Sequence, residues 1–258
     1  MEYTIKESKI RIFSYWKLEN FKLPNLKSIN VINMKKNRGH ARCNATGLKY
    51  INEKEDFDYV IPMDGDGEDR PEEIKLLIEK AKDYPDTVIT ANRVKRSEGP
   101  IFKLGYQVHK YLTYIFTGES IKFGNYVCLP KSVVAKMVKE AATWSSFSGS
   151  LTKLAKERKF IPSIRGPRYF GPSKMSFINL LKHSLSIIAV FRMTVFVRSL
   201  IFLAVYFFLM SQHLSVITLI PVVLIILMIV SVFVLSNREN IEDFNISQEN
   251  INNIENLK

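Results

Sequence analysis

Cysteine is nearly absent from this chain. The two that occur, Cys43 and Cys128, stand far apart and lack metal-type spacing, so neither a disulfide framework nor a thiolate metal site is expected. That usage fits a reducing, cytosol-facing domain. Acidic residues are a minority, 25 Asp and Glu against 37 Lys and Arg, which leaves a net charge of +12. Residues 1–11 are polar and charged and do not read as a secretory signal. There is no internal repeat and no aromatic-basic nucleic-acid motif. The basic balance therefore points to anionic lipid and phosphorylated substrates rather than to nucleic acid.

Charge is also missing from one long stretch. Residues 214–235 carry none in 22 positions, enough at about 1.5 Å per residue to cross a hydrocarbon core of about 30 Å. Residues 194–210 are apolar except for Arg198, which is placed to snorkel to an interface. Only Ser211, Gln212 and His213 link the two runs, which predicts a transmembrane hairpin; the alternative is a helix pair buried in a globular core. Lys182, Arg192 and Arg198 precede the hairpin, Arg238 follows it, and the turn has no Lys or Arg. Both ends are thus expected on the cytoplasmic side of the cell (inner) membrane, in a multi-pass arrangement. Pro221 falls inside the second run, where membrane helices tolerate it.

The spacing of Leu180, Leu181, Leu185 and Ile188 predicts an amphipathic helix over 176–192, either on the membrane surface or docked on the domain. Residues 236–258 are rich in Asn, Glu and Ile, oppose the net charge, and are expected to form a weakly ordered cytoplasmic tail. Upstream, apolar runs near 29–33, 59–63, 87–90 and 125–129 alternate with helical patterns near 37–50, 71–82, 102–116 and 131–140. That alternation predicts an α/β domain over 31–175 with a largely parallel sheet, preceded by an atypical segment at 1–30.

The most informative segment is Asp64-Gly65-Asp66-Gly67-Glu68-Asp69-Arg70-Pro71-Glu72, between a strand and a helix. Ligands of open α/β sheets bind at the carboxyl ends of strands. Alternating carboxylates with glycines between them offer hard oxygen ligands and space, which suits Mg²⁺ or Mn²⁺ shared with substrate phosphates. A solvated acidic turn is the plainer alternative. An EF-hand calcium loop fails on spacing, because Asp69 takes the glycine position and Lys75 the closing glutamate position. Glu72 and Glu73 are placed to favour the start of the following helix.

These residues resemble the Asp-x-Asp segment of glycosyltransferase family 2, in the branch of dolichyl-phosphate mannose synthase and bacterial polyisoprenyl-phosphate sugar transferases. Asn37-Arg38-Gly39-His40-Ala41 with Gly47 is similar to that branch's Asn-x-Gly-x-Gly/Ala segment. Ala91-Asn92-Arg93 resembles its Gly-Ser-Arg, and Gly124-Asn125-Tyr126 its acceptor-side segment. Arg165, Arg168, Gly171, Ser173 and Lys174 resemble its Arg-x-x-Arg-x-x-Gly-x-Ser-Lys run. The resemblance implies a GT-A fold, a UDP- or GDP-linked sugar donor, and inverting transfer to polyisoprenyl phosphate at the bilayer. It implies that Asp64 and Asp66 hold the metal and donor diphosphate, with Glu68 on the metal side. Arg93 faces the phosphates. Asn37, Gly39 and Asn125 contact substrate, and Arg165, Arg168, Ser173 and Lys174 take the lipid phosphate or donor. Arg165 and Arg168 otherwise read as headgroup contacts, Arg93 as a surface arginine, and His40, His109 and His183 as structural.

The chain departs from the family pattern at its start. The Val-x-Pro-x-x-Asn-Glu strand and the Asp-Asp-Gly-Ser strand end, which serve the nucleoside, have no counterpart in residues 1–30. The expectation is an N-terminally incomplete GT-A domain, either poorly active or an inactive homologue serving as a membrane-associated scaffold. Its unpaired central strand edge invites pairing with another chain, and so a homo-oligomer.

Overall fold

The computed structural model describes residues 28–95, 100–169 and 177–256. The chain opens with strand β1 (Asn30–Met34), helix α1 (His40–Lys54) and the short strand β2 (Tyr59–Val60). A 3-10 turn at Pro71–Glu73 leads into α2 (Ile74–Asp83), followed by β3 (Val88–Lys95) and α3 (Pro100–Thr117). Next come β4 (Val127–Pro130), α4 (Lys131–Met137), α5 (Phe147–Leu154) and β5 (Arg158–Ile164). The C-terminal part holds α6 (Phe177–Ala189), α7 (Arg192–Met210), α8 (Val216–Ser236), α9 (Ile241–Asn245) and β6 (Ile251–Asn256).

Four strands form one sheet in the order β2-β4-β3-β5. β3 and β5 are parallel, whereas β4 runs antiparallel to both β2 and β3. The expected largely parallel sheet is thus corrected to a mixed one: three strands share a direction and a reversed β4 is inserted among them. α3 and the loop after it return the chain to the end of the sheet where β3 leaves it, so β4 needs no crossover of the kind a parallel neighbour requires.

The period-2 alternation of β4 divides the core. Val127 and Leu129 join Ala45 and Leu48 of α1, Val133, Val134 and Met137 of α4, and Phe147 and Leu151 of α5. Tyr126 and Cys128 face the other way, to Leu77 and Ala81 of α2 with Ile89, Ala91 and Ile161. Helices therefore cover both faces, and every β4 residue is buried.

The tail corrects the expectation of weak order. Phe244 is fully buried and stacks on Trp144, with ring centroids 5.6 Å apart and planes at 19°. Beyond it, β6 pairs antiparallel with β1, from Asn30 opposite Asn256 to Met34 opposite Ile251. A polar composition gave no hint of this, because one aromatic anchor and a backbone ladder suffice to order a short segment. One edge of β1 is covered by this chain's own strand.

α6 docks on the domain through one half, while Leu181 in the other is 50% exposed. Its C-terminal half is buried at Ser186, Ile187, Ile188 and Ala189, and it packs on α5, α8 and α3. Gly149 of α5 admits that approach, since a Cβ there would stand 2.8 Å from Val190 Cγ2 and 3.3 Å from the Ile187 carbonyl. α7 and α8 are both long and apolar enough to cross a membrane. α8 runs through Pro221 and starts with a capping box between Ser215 and Thr218.

Candidate functional site

The acidic segment forms a compact loop past the tip of β2. The Asp69 carboxylate accepts the Asp64 N–H at 3.0 Å, closing the loop on itself, and Asp66 Oδ1 accepts the Glu68 N–H at 3.0 Å. Gly67 makes the turn with φ +90°, a conformation that disfavours any side chain. The aromatic ring of Tyr169 also lies 2.8 Å from where a Cβ of Gly67 would stand.

Residues 165–169 lie across this loop as a strap. Gly166 N–H donates to the Glu68 carbonyl and Tyr169 N–H to the Asp66 carbonyl, each at 2.9 Å. A Cβ on Gly166 would stand 2.5 Å from the Gly67 carbonyl oxygen, so only glycine permits the contact. Arg165 bonds Glu68 Oε2. Arg168 reaches Glu68 Oε1 at 3.1 Å through Nε and Asp66 Oδ2 at 3.0 Å through an Nη. The two arginines that resemble lipid-phosphate ligands thus sit on the acidic loop itself.

On the other side of the loop, His40 opens α1. Asn37 Oδ1 accepts the Gly39 N–H at 2.9 Å, and Gly39, with φ +95°, turns the chain into the helix. His40 Nε2 then lies 3.1 Å from Asp64 Oδ1, and 3.4 Å from the side-chain nitrogens of Asn44 and Asn125. Burial alone would raise the Asp64 pKa, but the His40 hydrogen bond and the charges of His40 and Arg93 outweigh it and hold the carboxyl below its ordinary range. The same hydrogen bond raises His40 against the effect of its own burial.

Asp69 is the opposite case. It is 5% exposed, and burial, reinforced by the negative charges of Asp64 and Asp66, pushes it up to about 6 despite the Asp64 N–H and Arg93. Arg93, reaching in from β3, lies 3.8 Å from Asp69 Oδ1 and packs on Gly124. Glu73 sits at the N-cap of α2, but its side chain makes no capping bond. Its two oxygens accept the Ser163 hydroxyl at 2.6 Å and the Ile164 N–H at 3.0 Å, tying the end of β5 to the 3-10 turn after the loop.

Asp64, Asp66, Glu68, Arg93, Asn125, Arg165 and Arg168 are therefore gathered around one loop. Asn37 and Gly39 shape the turn that delivers His40 rather than touching the loop. Ser173 and Lys174 lie outside the described residues. His40 and Asp69 are the residues sequence reasoning missed as site members. His40 stands directly after the helix-opening glycine of a quoted motif, but no periodicity says that this end of α1 faces the tip of β2.

The donor set can be tested against a divalent cation. Asp64 and Asp66 keep about a third of their side-chain surface exposed, and Asp64 is held ionised. Asp64 fits a cation that takes its remaining oxygens from a diphosphate; Asp66, with Oδ1 on the Glu68 N–H and Oδ2 on Arg168, fits only once Arg168 leaves it. Glu68 does not fit, because both its oxygens are on guanidinium groups. Among the described residues no three metal-ligating side chains cluster.

Residues 17–142 match the family model of Glycosyl transferase family 2. The matched span takes in β1 to α4 and the whole acidic loop, with His40, Arg93 and Asn125; Arg165 and Arg168 fall beyond it. No curated protein matches the chain.

Proposed function

We propose that this chain is a membrane-anchored glycosyltransferase of GT-A type, moving a sugar from a UDP- or GDP-linked donor to polyisoprenyl phosphate with inversion, at the cytoplasmic face of the cell membrane. The observation that carries the reading is Asp64: held ionised, about a third exposed, and placed between His40 of α1 and the loop it shares with Asp66, inside a span that matches family 2. Support for the membrane comes from the hairpin, whose Phe208, Val216 and Ile217 are 80%, 84% and 77% exposed; in water such a surface would be an aggregation hazard.

Asp64 and Asp66 are the residues that would hold Mg²⁺ or Mn²⁺, which when bound offsets charge on the departing diphosphate. His40, with Asn125, orients the Asp64 carboxylate. Arg93, and Arg165 and Arg168 once exchanged from carboxylate to phosphate, supply bidentate donors to phosphate oxygens. In the transfer, an oxygen of the acceptor phosphate forms a bond to the anomeric carbon while the bond from that carbon to the diphosphate breaks. The acceptor is already an anion, so no side chain has to take a proton.

The test is sugar transfer by the purified full chain in lipid nanodiscs, given UDP- and GDP-sugars, Mg²⁺ or Mn²⁺, and polyisoprenyl phosphate. Metal-dependent product should form, and Asp64→Ala should lower the rate about a hundredfold or more, the scale of losing a key charge-stabilising group. Transfer unchanged in Asp64→Ala would reject the assignment. One observation favours a second reading, a family 2 homologue that serves as a scaffold: Asp66 and Glu68 are already neutralised by Arg165 and Arg168. That reading predicts no metal-dependent heat on titrating UDP or GDP.

A further inference from the structure

α3 packs one face, with Phe116 buried among Ile188, Ala189, Val195 and Val232, and leaves a second apolar face bare. Its small polar residues Thr113 and Thr117 are buried, at 2% and 5% exposure, facing α6 and α7. Val108, Tyr111, Leu112 and Ile115 are exposed, at 49%, 62%, 40% and 55%. Their spacing of three, four and seven residues makes one continuous apolar stripe along the helix. Among the described residues nothing covers it.

The position of α3 says what does. Arg198, near the start of α7, donates to the carbonyls of Ile115 at 2.9 Å and Tyr114 at 3.5 Å, and so holds the last turn of α3. Gly118, with φ +79°, ends the helix, and its missing Cβ leaves room for that guanidinium, which would stand 2.7 Å from a Cβ there. The exposed stripe is therefore continuous with the start of the apolar hairpin. Beside it lies a shallow cavity of about 230 Å³ lined by Lys110, Tyr111, Tyr114, Ser120 and Lys122. Two ammonium groups, a hydroxyl and two tyrosines at the edge of an apolar stripe match a bilayer interface, where aromatic rings sit at headgroup depth and lysines meet anionic lipid.

We propose that α3 lies in the membrane interface with its stripe among acyl chains, and that the Lys110–Lys122 cavity takes the headgroup phosphate of an anionic phospholipid. This rests on the hairpin spanning the bilayer. α3 then acts as a further contact beyond the hairpin, fixing the tilt of the domain on the membrane.

The test uses the full chain in nanodiscs, with exposed Cys43 replaced by Ala and single nitroxide labels at Leu112, Ile115, Phe208 and Leu76. Accessibility to oxygen and to a water-soluble nickel complex is compared. Labels at 112, 115 and 208 should favour oxygen, and the label on α2 at 76 the nickel complex. Labels at 208 in lipid but 112 and 115 in water would overturn the proposal and leave the hairpin standing. A label at 208 in water would overturn both. Labels at 112 and 115 shielded from both reagents would show a protein covering the stripe, a second copy included, and would also overturn it. For the cavity, the readout is the contact preference for spin-labelled phosphatidylglycerol over phosphatidylcholine. Lys110→Glu with Lys122→Glu should lower that preference about fivefold or more; an unchanged preference would overturn the headgroup assignment.

Discussion

The acidic loop and the C-terminal hairpin bury opposite things. Around the loop, charged groups are drawn inward and matched: Glu68 with Arg165 and Arg168, Asp69 with Arg93 and the Asp64 N–H, Glu73 with Ser163 and Ile164. In the hairpin, apolar side chains are turned outward and only Val195, Ser199, Val222, Ile225, Val232 and Ser236 are buried. A charge taken from water needs a partner, whereas an apolar surface turned out needs a solvent that is itself apolar. On the proposed membrane reading, the contrast is that of one chain folded against two solvents, with α3 at the seam.

The same deletion made in each region should break or sharpen that comparison most clearly. Phe244→Ala removes a fully buried ring stacked on Trp144, and should cost about 3–5 kcal/mol, measured by chemical denaturation of the solubilised protein. It should also loosen β6, visible as faster amide exchange across the β1–β6 ladder. Glu68→Ala leaves two guanidinium groups facing each other and should cost about 2 kcal/mol. That lies below the figure for a fully buried pair, because Arg168 is 27% exposed. Limited proteolysis within 165–169 should quicken alongside it.

The Asp69 prediction concerns pH. With its folded value at about 6, above the ordinary 3.8, this carboxyl keeps its proton in the folded protein where the unfolded chain has lost it. Its contribution is therefore present at low pH and lost as pH rises from about 4 to about 6. Asp69→Asn should flatten that fall, by about 1–2 kcal/mol, in metal-free unfolding curves across this window. A slope unchanged in the variant would mean that another group titrates. The smallest effect belongs to the hairpin: Phe208→Ala, at 80% exposure, should shift domain stability by less than about 0.5 kcal/mol. A loss comparable to that of Phe244→Ala would mean that Phe208 is packed against protein.

Much of this was legible in the residues. The helix over 71–82 was readable from Pro71 and the apolar positions 74, 77, 78 and 81, and the structure places a 3-10 turn and α2 there. The hairpin was readable from length and lack of charge, and α7 and α8 match it within a few residues. Other features were not. The order of β6 depends on Phe244 finding Trp144, a partner a hundred positions away, which local composition does not encode. Arg198, read from the sequence as an interfacial arginine, also donates to the Ile115 carbonyl at the end of α3, a partner 83 positions away that no local pattern announces. β5 escaped notice because its apolar residues are few, yet it leads into Arg165 and the strap across the loop.

By itself the sequence determined the materials: a basic α/β domain with glycine-spaced carboxylates at a strand's tip, and an uncharged hairpin after it. Those follow from period, length and charge, which are local properties of a chain. Tertiary structure alone decided which charges meet. It brought His40 to Asp64, set Arg165 and Arg168 on Glu68 instead of leaving them free for lipid phosphate, closed β1 with β6, and left α3 with its apolar face outward. Each of these depends on where two distant segments come to rest, and an ion pair or a ladder exists only when both partners arrive.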